Sequence, residues 1–245
     1  MNNAAHARDV IVVPDAAALA ASAAQRLVDR IADSGERPAI CLTGGSTPKR
    51  MYELLATPLW RDRIPWLQVH WFIGDDRFVP PDDPLNNMGM ARRAFLDVCA
   101  PAGNIHAISP AATPDTAALL YENELRDFHT AHRAGKPLFD LVLLGVGPDG
   151  HTASLFPNAP ALTEQSHWVV GVAHANVAPF VPRVSLTLPC LAQTREMLFL
   201  AAGNDKQEIL RRVFAGEDLP AGHAQAAGGK TLWMLDQAAT PSAPT

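Results

Sequence analysis

No run among the 245 residues approaches the ~18 consecutive apolar side chains of a membrane-spanning helix, so no membrane partner is expected. Near the N-terminus the four-residue apolar run Val10–Val13 is flanked by Arg8, Asp9, Pro14 and Asp15, too short for the core of a secretion signal, and the expected location is the cytoplasm. Cysteine is scarce: Cys41, Cys99 and Cys190 are three in number, with no CxxC pair. That excludes a disulfide framework, and the two cysteines in or beside apolar segments read as core thiols in a reducing compartment. An excess of positive charge is missing too, with 20 Lys and Arg against 25 Asp and Glu and a net charge of -5. Nucleic acid is therefore not expected as a partner, and any anionic ligand must be met by a few local cations. Neither G-x-S-x-G nor GxxxxGK[ST] occurs, which removes the serine-hydrolase elbow and the Walker A loop.

What is present is the composition of an ordinary globular protein, 48% hydrophobic and 18% charged. Apolar periodicity switches repeatedly between the helical and strand patterns. Asp15 to Ala32 reads as a helix and "AICLTGG" as a short strand. Thr47 and Pro48 then read as cap and first residue of the helix "PKRMYELLA". "VHWFIGDD" reads as a strand, 86–98 and 116–132 as helices, and "FDLVLLG" as a doubly buried strand. Further on, "WVVGVA", "RVSLTLP", "EMLFLAAG" and "TLWML" read as strands and "DKQEILRRVFA" as a helix. The alternation predicts a single α/β domain over 1–245, a mainly parallel sheet with helices on both faces, ending in a flexible tail at 236–245.

The unusual stretches "TGGSTP", "GDDRFVP", "GVGPDGHTAS" and "AAGNDK" all fall at carboxyl ends of predicted strands, where open α/β sheets bind ligands. Gly145, Gly147 and Gly150 match G-x-G-x-x-G, but Pro148 removes a backbone donor, Pro157 stops any following helix early, and no acidic residue stands near position 170. The match is not read as a dinucleotide fingerprint. Gly44, Gly45, Ser46 and Thr47 before a helix make either a phosphate turn or a plain capped helix start. Arg77, Arg183 and Lys206, each at a strand end, weight the first reading; each alone could be a surface charge. His151, beside Asp149, can take a proton from water at neutral pH if a carboxylate or carbonyl fixes its tautomer. Asp75 and Asp76 could orient a base, bind sugar hydroxyls, or cap a turn. His129 and His132 share a helix face without an evident third ligand, so no metal site is expected there.

Together, "LTGGSTP", "WFIGDDRFVP", "NNMGMARRAFL", "FDLVLLGVGPDGHTASLFP", "PRVSLTLP", "AAGNDKQEIL" and "LWMLDQAA" resemble the 6-phosphogluconolactonase family, within the glucosamine-6-phosphate isomerase/6-phosphogluconolactonase superfamily. The resemblance implies a Rossmann-like sheet that binds no dinucleotide, and hydrolysis of 6-phospho-D-glucono-1,5-lactone with neither metal nor organic cofactor. It implies His151 as the base, with Asp75 orienting the sugar or His151. Gly44 to Thr47, Arg77, Asn87, Gly147, Asp149, Arg183 and Lys206 would surround the substrate. The implied partner is the phosphorylated sugar lactone alone, on a monomer or weak homodimer. Asp76 stands where the family has glutamate, and Asn86-Asn87 where it has Ser-Asn. The isomerase branch follows DGH with a run containing Asn-Glu-Pro; "DGHTASLFP" lacks that glutamate, and glucosamine-6-phosphate isomerisation with deamination is the alternative reading. A non-catalytic sugar-phosphate-binding protein is the other.

Overall fold

The computed structural model describes residues 9–241. Its strands are β1 (Asp9–Val13), β2 (Ala39–Leu42), β3 (His70–Ile73), β4 (Asp75–Arg77), β5 (Ile105–His106), β6 (Leu141–Leu144), β7 (Val169–Val172), β8 (Arg183–Leu186), β9 (Glu196–Ala201) and β10 (Lys230–Asp236). Seven form one sheet in the order β1-β10-β9-β6-β2-β3-β5, parallel throughout. β2, β6 and β9 are buried along their whole length, as expected of strands covered on both sides.

Adjacent residues of β3 show which helices cover which face, because side chains alternate along a strand. Trp71 meets Phe95 edge-on at 5.2 Å, next to the helix Ser46–Leu55, whose Tyr52 stacks on Phe95. Phe72 points the other way and meets Phe128 of the helix Pro114–His132 at 4.9 Å. Helices therefore lie on both faces of a single domain. The helix expected over Asp15 to Ala32 runs Ala16–Ala32, with the side chain of Asp15 capping it by accepting the amides of Ala17 and Ala18.

Chain order locates the ligand crevice before any side chain is considered. From β2 the chain builds outward through β3 and β5; from β6 it builds the other way through β9 and β10. The direction reverses between β2 and β6, and in open α/β sheets the crevice opens beyond the carboxyl ends of the strands at that reversal. Those ends carry Thr43–Gly45 and Gly145–His151.

Three expectations need correction. "VHWFIGDD" is two strands: β3 stops at Gly74, whose amide donates to Leu42 at 2.9 Å, and β4 turns into a separate antiparallel sheet of order β4-β8-β7. "RVSLTLP" and "WVVGVA" belong to that small sheet, a pairing that alternating periodicity cannot distinguish from membership of the large one. The segment predicted as a helix over 86–98 is helical from Asn87 to Cys99, but not as one regular α-helix: an α-helical turn Asn87–Ala91, a π-helical turn Arg92–Leu96 and a last α-helical turn Asp97–Cys99 follow one another. The tail begins later than 236, because Asp236 closes β10 and Ala239 is fully buried. Asp236 also accepts the amides of Gly203 and Ala239, at 3.0 and 2.8 Å; the end of the expected tail, 242–245, lies outside the described residues. Among the described residues no helix is long and apolar enough to cross a membrane.

Candidate active site

The turn after β2 is fixed from behind. Tyr52 is fully buried; its hydroxyl accepts the amide of Thr43 at 3.0 Å and donates to the Thr43 carbonyl at 2.8 Å. Gly44 must be glycine because a Cβ there would fall 2.0 Å from Asn87 Oδ1. Gly45, at φ 107°, caps the helix, so the helix starts at Ser46 rather than at Pro48. Thr47 is therefore the second helical residue and not the cap, and Pro48 in third place contributes no donor. The amides of Ser46 and Thr47 find no acceptor among the described residues and stand at the positive end of a ten-residue helix.

The segment after β6 carries the histidine. No helix follows Gly150 in residues 151–157; the chain turns through a short Thr152–Leu155 bridge instead, which rules out dinucleotide-binding geometry. The imidazole packs against Gly147, where a Cβ would come 2.0 Å from Cε1. Asp149 Oδ1 receives His151 Nδ1 at 2.5 Å and the His151 amide at 3.1 Å. Burial pushes the Asp149 carboxyl up, but the hydrogen bond and charge of His151 together hold it below the ordinary carboxylate range. An ionised Asp149 makes Nδ1 the protonated nitrogen of a neutral ring and leaves the lone pair on Nε2, which has no partner among the described residues.

The cations come from three elements. Arg77 on β4 and Arg183 on β8 are register partners, directly opposite across the antiparallel pair. Like charges so placed repel, and here both Nε atoms are buried without a partner. Arg183 donates to the Pro179 carbonyl at 3.0 Å, and Arg77 to the Leu85 carbonyl at 3.0 Å and to Asn87 Oδ1. Burial lowers the Arg183 pKa from its ordinary value; Asp75 opposes and Arg77 reinforces that. Two guanidiniums side by side, that of Arg183 buried and that of Arg77 buried at its Nε, are stabilised by an anion between them. Lys206, at the start of the helix Gln207–Phe214, donates to the Val146 carbonyl at 3.1 Å, bringing its ammonium to the histidine loop.

Gly44, Asp75, Arg77, His151, Arg183 and Lys206 line one cavity of about 440 Å³, joined on its wall by Gly45, Asn87 and Gly147. Ser46, Thr47 and Asp149 are not on that wall: the first two lie at the helix start beside it, and Asp149 lies behind His151. Another cleft, of about 420 Å³ beside β7, is lined by Asp115, Glu122 and Glu164, whose charges repel an anion.

The paired aspartates separate in role. Asp75, 5% exposed, accepts Ser154 Oγ at 2.6 Å and makes no hydrogen bond to His151, so the orienting carboxylate is Asp149. Asp76 accepts the amides of Arg77, Asn87 and Met88 and closes the start of the helix Asn87–Ala91. Burial pushes its carboxyl up to about 7 against the pull of those amides. Asn86 also caps this helix, accepting Gly89 N at 2.6 Å. Both departures from the family pattern thus sit on a helix cap. His129 and His132 turn to different neighbours, the Lys136 carbonyl and the ring of His70, and among the described residues no group of three or more His, Cys, Asp and Glu could hold a metal. Sequence reasoning offers Ser154 as a hydrogen-bonding group near His151 but misses that its buried hydroxyl bonds Asp75, and misses the ring of Phe156 against His151, 4.7 Å between centroids. "HTASLFP" names both residues, but no pattern within it shows what they touch.

Fold and cavity define an α/β protein that offers an anion several cations beside a histidine with a free ring nitrogen. The chain belongs to the family described as Glucosamine-6-phosphate isomerases/6-phosphogluconolactonase, whose sequence model matches residues 14–233. A 6-phosphogluconolactonase of Synechocystis sp. is 43% identical over 221 residues, 87% of this chain and 88% of that protein. One of Nostoc sp. is 38% identical over 242 residues, 95% of this chain and 97% of its own length. The solved 6-phosphogluconolactonase from Trypanosoma cruzi superposes with a TM-score of 0.83 at 29% identity, covering 95% of each chain.

Proposed function

We propose that this protein hydrolyses 6-phospho-D-glucono-1,5-lactone to 6-phosphogluconate, with His151 as general base. The observation that carries the reading is an imidazole with a free Nε2, backed by an ionised carboxylate, in the same cavity as Arg77, Arg183 and Lys206. The phosphate binds the cations, with the amides of Ser46 and Thr47 adding the helix end. Nε2 then removes a proton from water as its oxygen attacks the lactone carbonyl carbon. The carbonyl π electrons move to oxygen; on their return the ring C–O bond breaks, and the imidazolium gives its proton to the departing alkoxide. One water is consumed, and the acid formed ionises to the carboxylate. Asp149 stabilises the imidazolium between the two transfers, and Asp75, held by Ser154, faces the sugar rather than the base.

All these groups come from a single chain, in keeping with an active monomer. The free and buried thiols of Cys41 and Cys190 fit a cytoplasmic protein. The test is acid release from freshly prepared lactone by purified protein. Release no faster than the spontaneous reaction at the same pH refutes the reading, and release of ammonia from glucosamine 6-phosphate would replace it with the isomerase one.

A further inference from the structure

Among the described residues the hydrophobic interior falls into two clusters. The larger fills the parallel sheet; the smaller joins Phe156 to Val172 and Ala175, with Val170 packed on it. Phe156 is fully buried, and two groups of the candidate site rest on its ring. The His151 imidazole is tilted 48° against it at 4.7 Å between centroids. The guanidinium carbon of Arg183 stands over it at 5.8 Å from the centroid. His151 comes from the loop after β6 and Arg183 from the small sheet, and among the described residues no hydrogen bond joins them directly.

We propose that Phe156 is a positioning residue for both the base and an anion-binding arginine: one buried ring sets their spacing and offers its π face to the positive charge of each. The roles of its two neighbours rest on the lactonase reading. An aliphatic side chain could fill the small cluster equally well, since hydrophobic burial has no direction. An aromatic ring adds a quadrupole that attracts a cation, and more strongly where the cation is desolvated, as Arg183 is. In the proposed reaction His151 carries the same kind of charge once it has taken the proton from water, so the ring favours that charge-bearing stage. Phe156 should therefore act on turnover through His151 and on affinity through Arg183.

The experiment compares Phe156→Leu with Val170→Ala, which perturbs the same cluster from the side of β7. It reads kcat on the lactone, calorimetric binding of 6-phosphogluconate, and melting temperature. Phe156→Leu should weaken binding about fivefold, the size of one cation–π contact, and lower kcat by a similar factor. Val170→Ala should lower the melting temperature while leaving both readouts within about twofold. Coupling separates positioning from packing. In an Arg183→Ala background Phe156→Leu should change affinity less than about twofold, and in a His151→Ala background it should leave the residual rate unchanged to the same margin. Undiminished losses in both backgrounds, or equal losses from Val170→Ala, overturn the proposal. Phe156→Met serves if the leucine variant does not fold. An inactive wild type would refute the lactonase reading alone, because the binding cycle with Arg183 still decides whether the ring holds the arginine.

Discussion

Two histidines in this molecule each hold a carboxylate through Nδ1, and they differ in what meets the other ring nitrogen. His151 Nδ1 lies 2.5 Å from Asp149, and His106 Nδ1 lies 2.6 Å from Glu124. At His106 the other nitrogen is taken by His70 Nδ1 at 2.9 Å, and the ring stacks on Phe72 at 4.2 Å. At His151 the other nitrogen is free and opens into a cavity with three cations. A carboxylate behind an imidazole is therefore not by itself a catalytic signature; what distinguishes the two is the far nitrogen and the charge in front of it.

That comparison is broken first by His151→Ala, which should lower kcat by roughly 10³-fold, within the range of general-base catalysis, and leave 6-phosphogluconate binding nearly intact. His106→Ala should retain kcat within about twofold and lose melting temperature instead; equal losses of kcat in the two variants would erase the distinction. Next, Asp149→Asn should cost about 10²-fold in kcat by letting the ring take the other tautomer, whereas Glu124→Gln should cost none. Removing a cation sharpens the contrast in another direction. Arg183→Ala should weaken 6-phosphogluconate binding about tenfold or more, as expected for a lost hydrogen bond to a charged group, with a smaller change in kcat.

The smallest effect is one of pH. Burial pulls His70 down to about 4, reinforced by His106, Arg37 and His132. The unfolded chain binds this proton below about 6.5, while the folded one refuses it down to about 4, so stability falls as pH drops through that window, with a slope of at most about 1.4 kcal/mol per pH unit. Melting at pH 7 and pH 4.5 should show less acid loss for His70→Gln than for the wild type.

How much of this was legible in the sequence depended on whether a feature is local. Strand ends bounded by glycine and proline marked the loop of His151, the turn of residues 44–47 and the positions of Arg183 and Lys206, since turn chemistry is written within a few residues. The register of Arg77 against Arg183 was not legible, because it joins segments far apart in the chain that have the same period as any other strand. Thr47 was misplaced as a cap because a glycine with positive φ can start a helix without any side-chain acceptor. Asp236 was taken into the tail because its bond to Gly203, which steadies the turn before Lys206, leaves no periodic trace.

The opposed arginines carry one more consequence. Two guanidiniums facing each other across β4 and β8 push against the strand pairing that holds them, and a doubly charged phosphate bound between them would reverse the sign of that force. The small sheet would then work as a clasp: its amides should exchange fastest in the free protein and slow when inorganic phosphate is added, while those of the parallel sheet do not change.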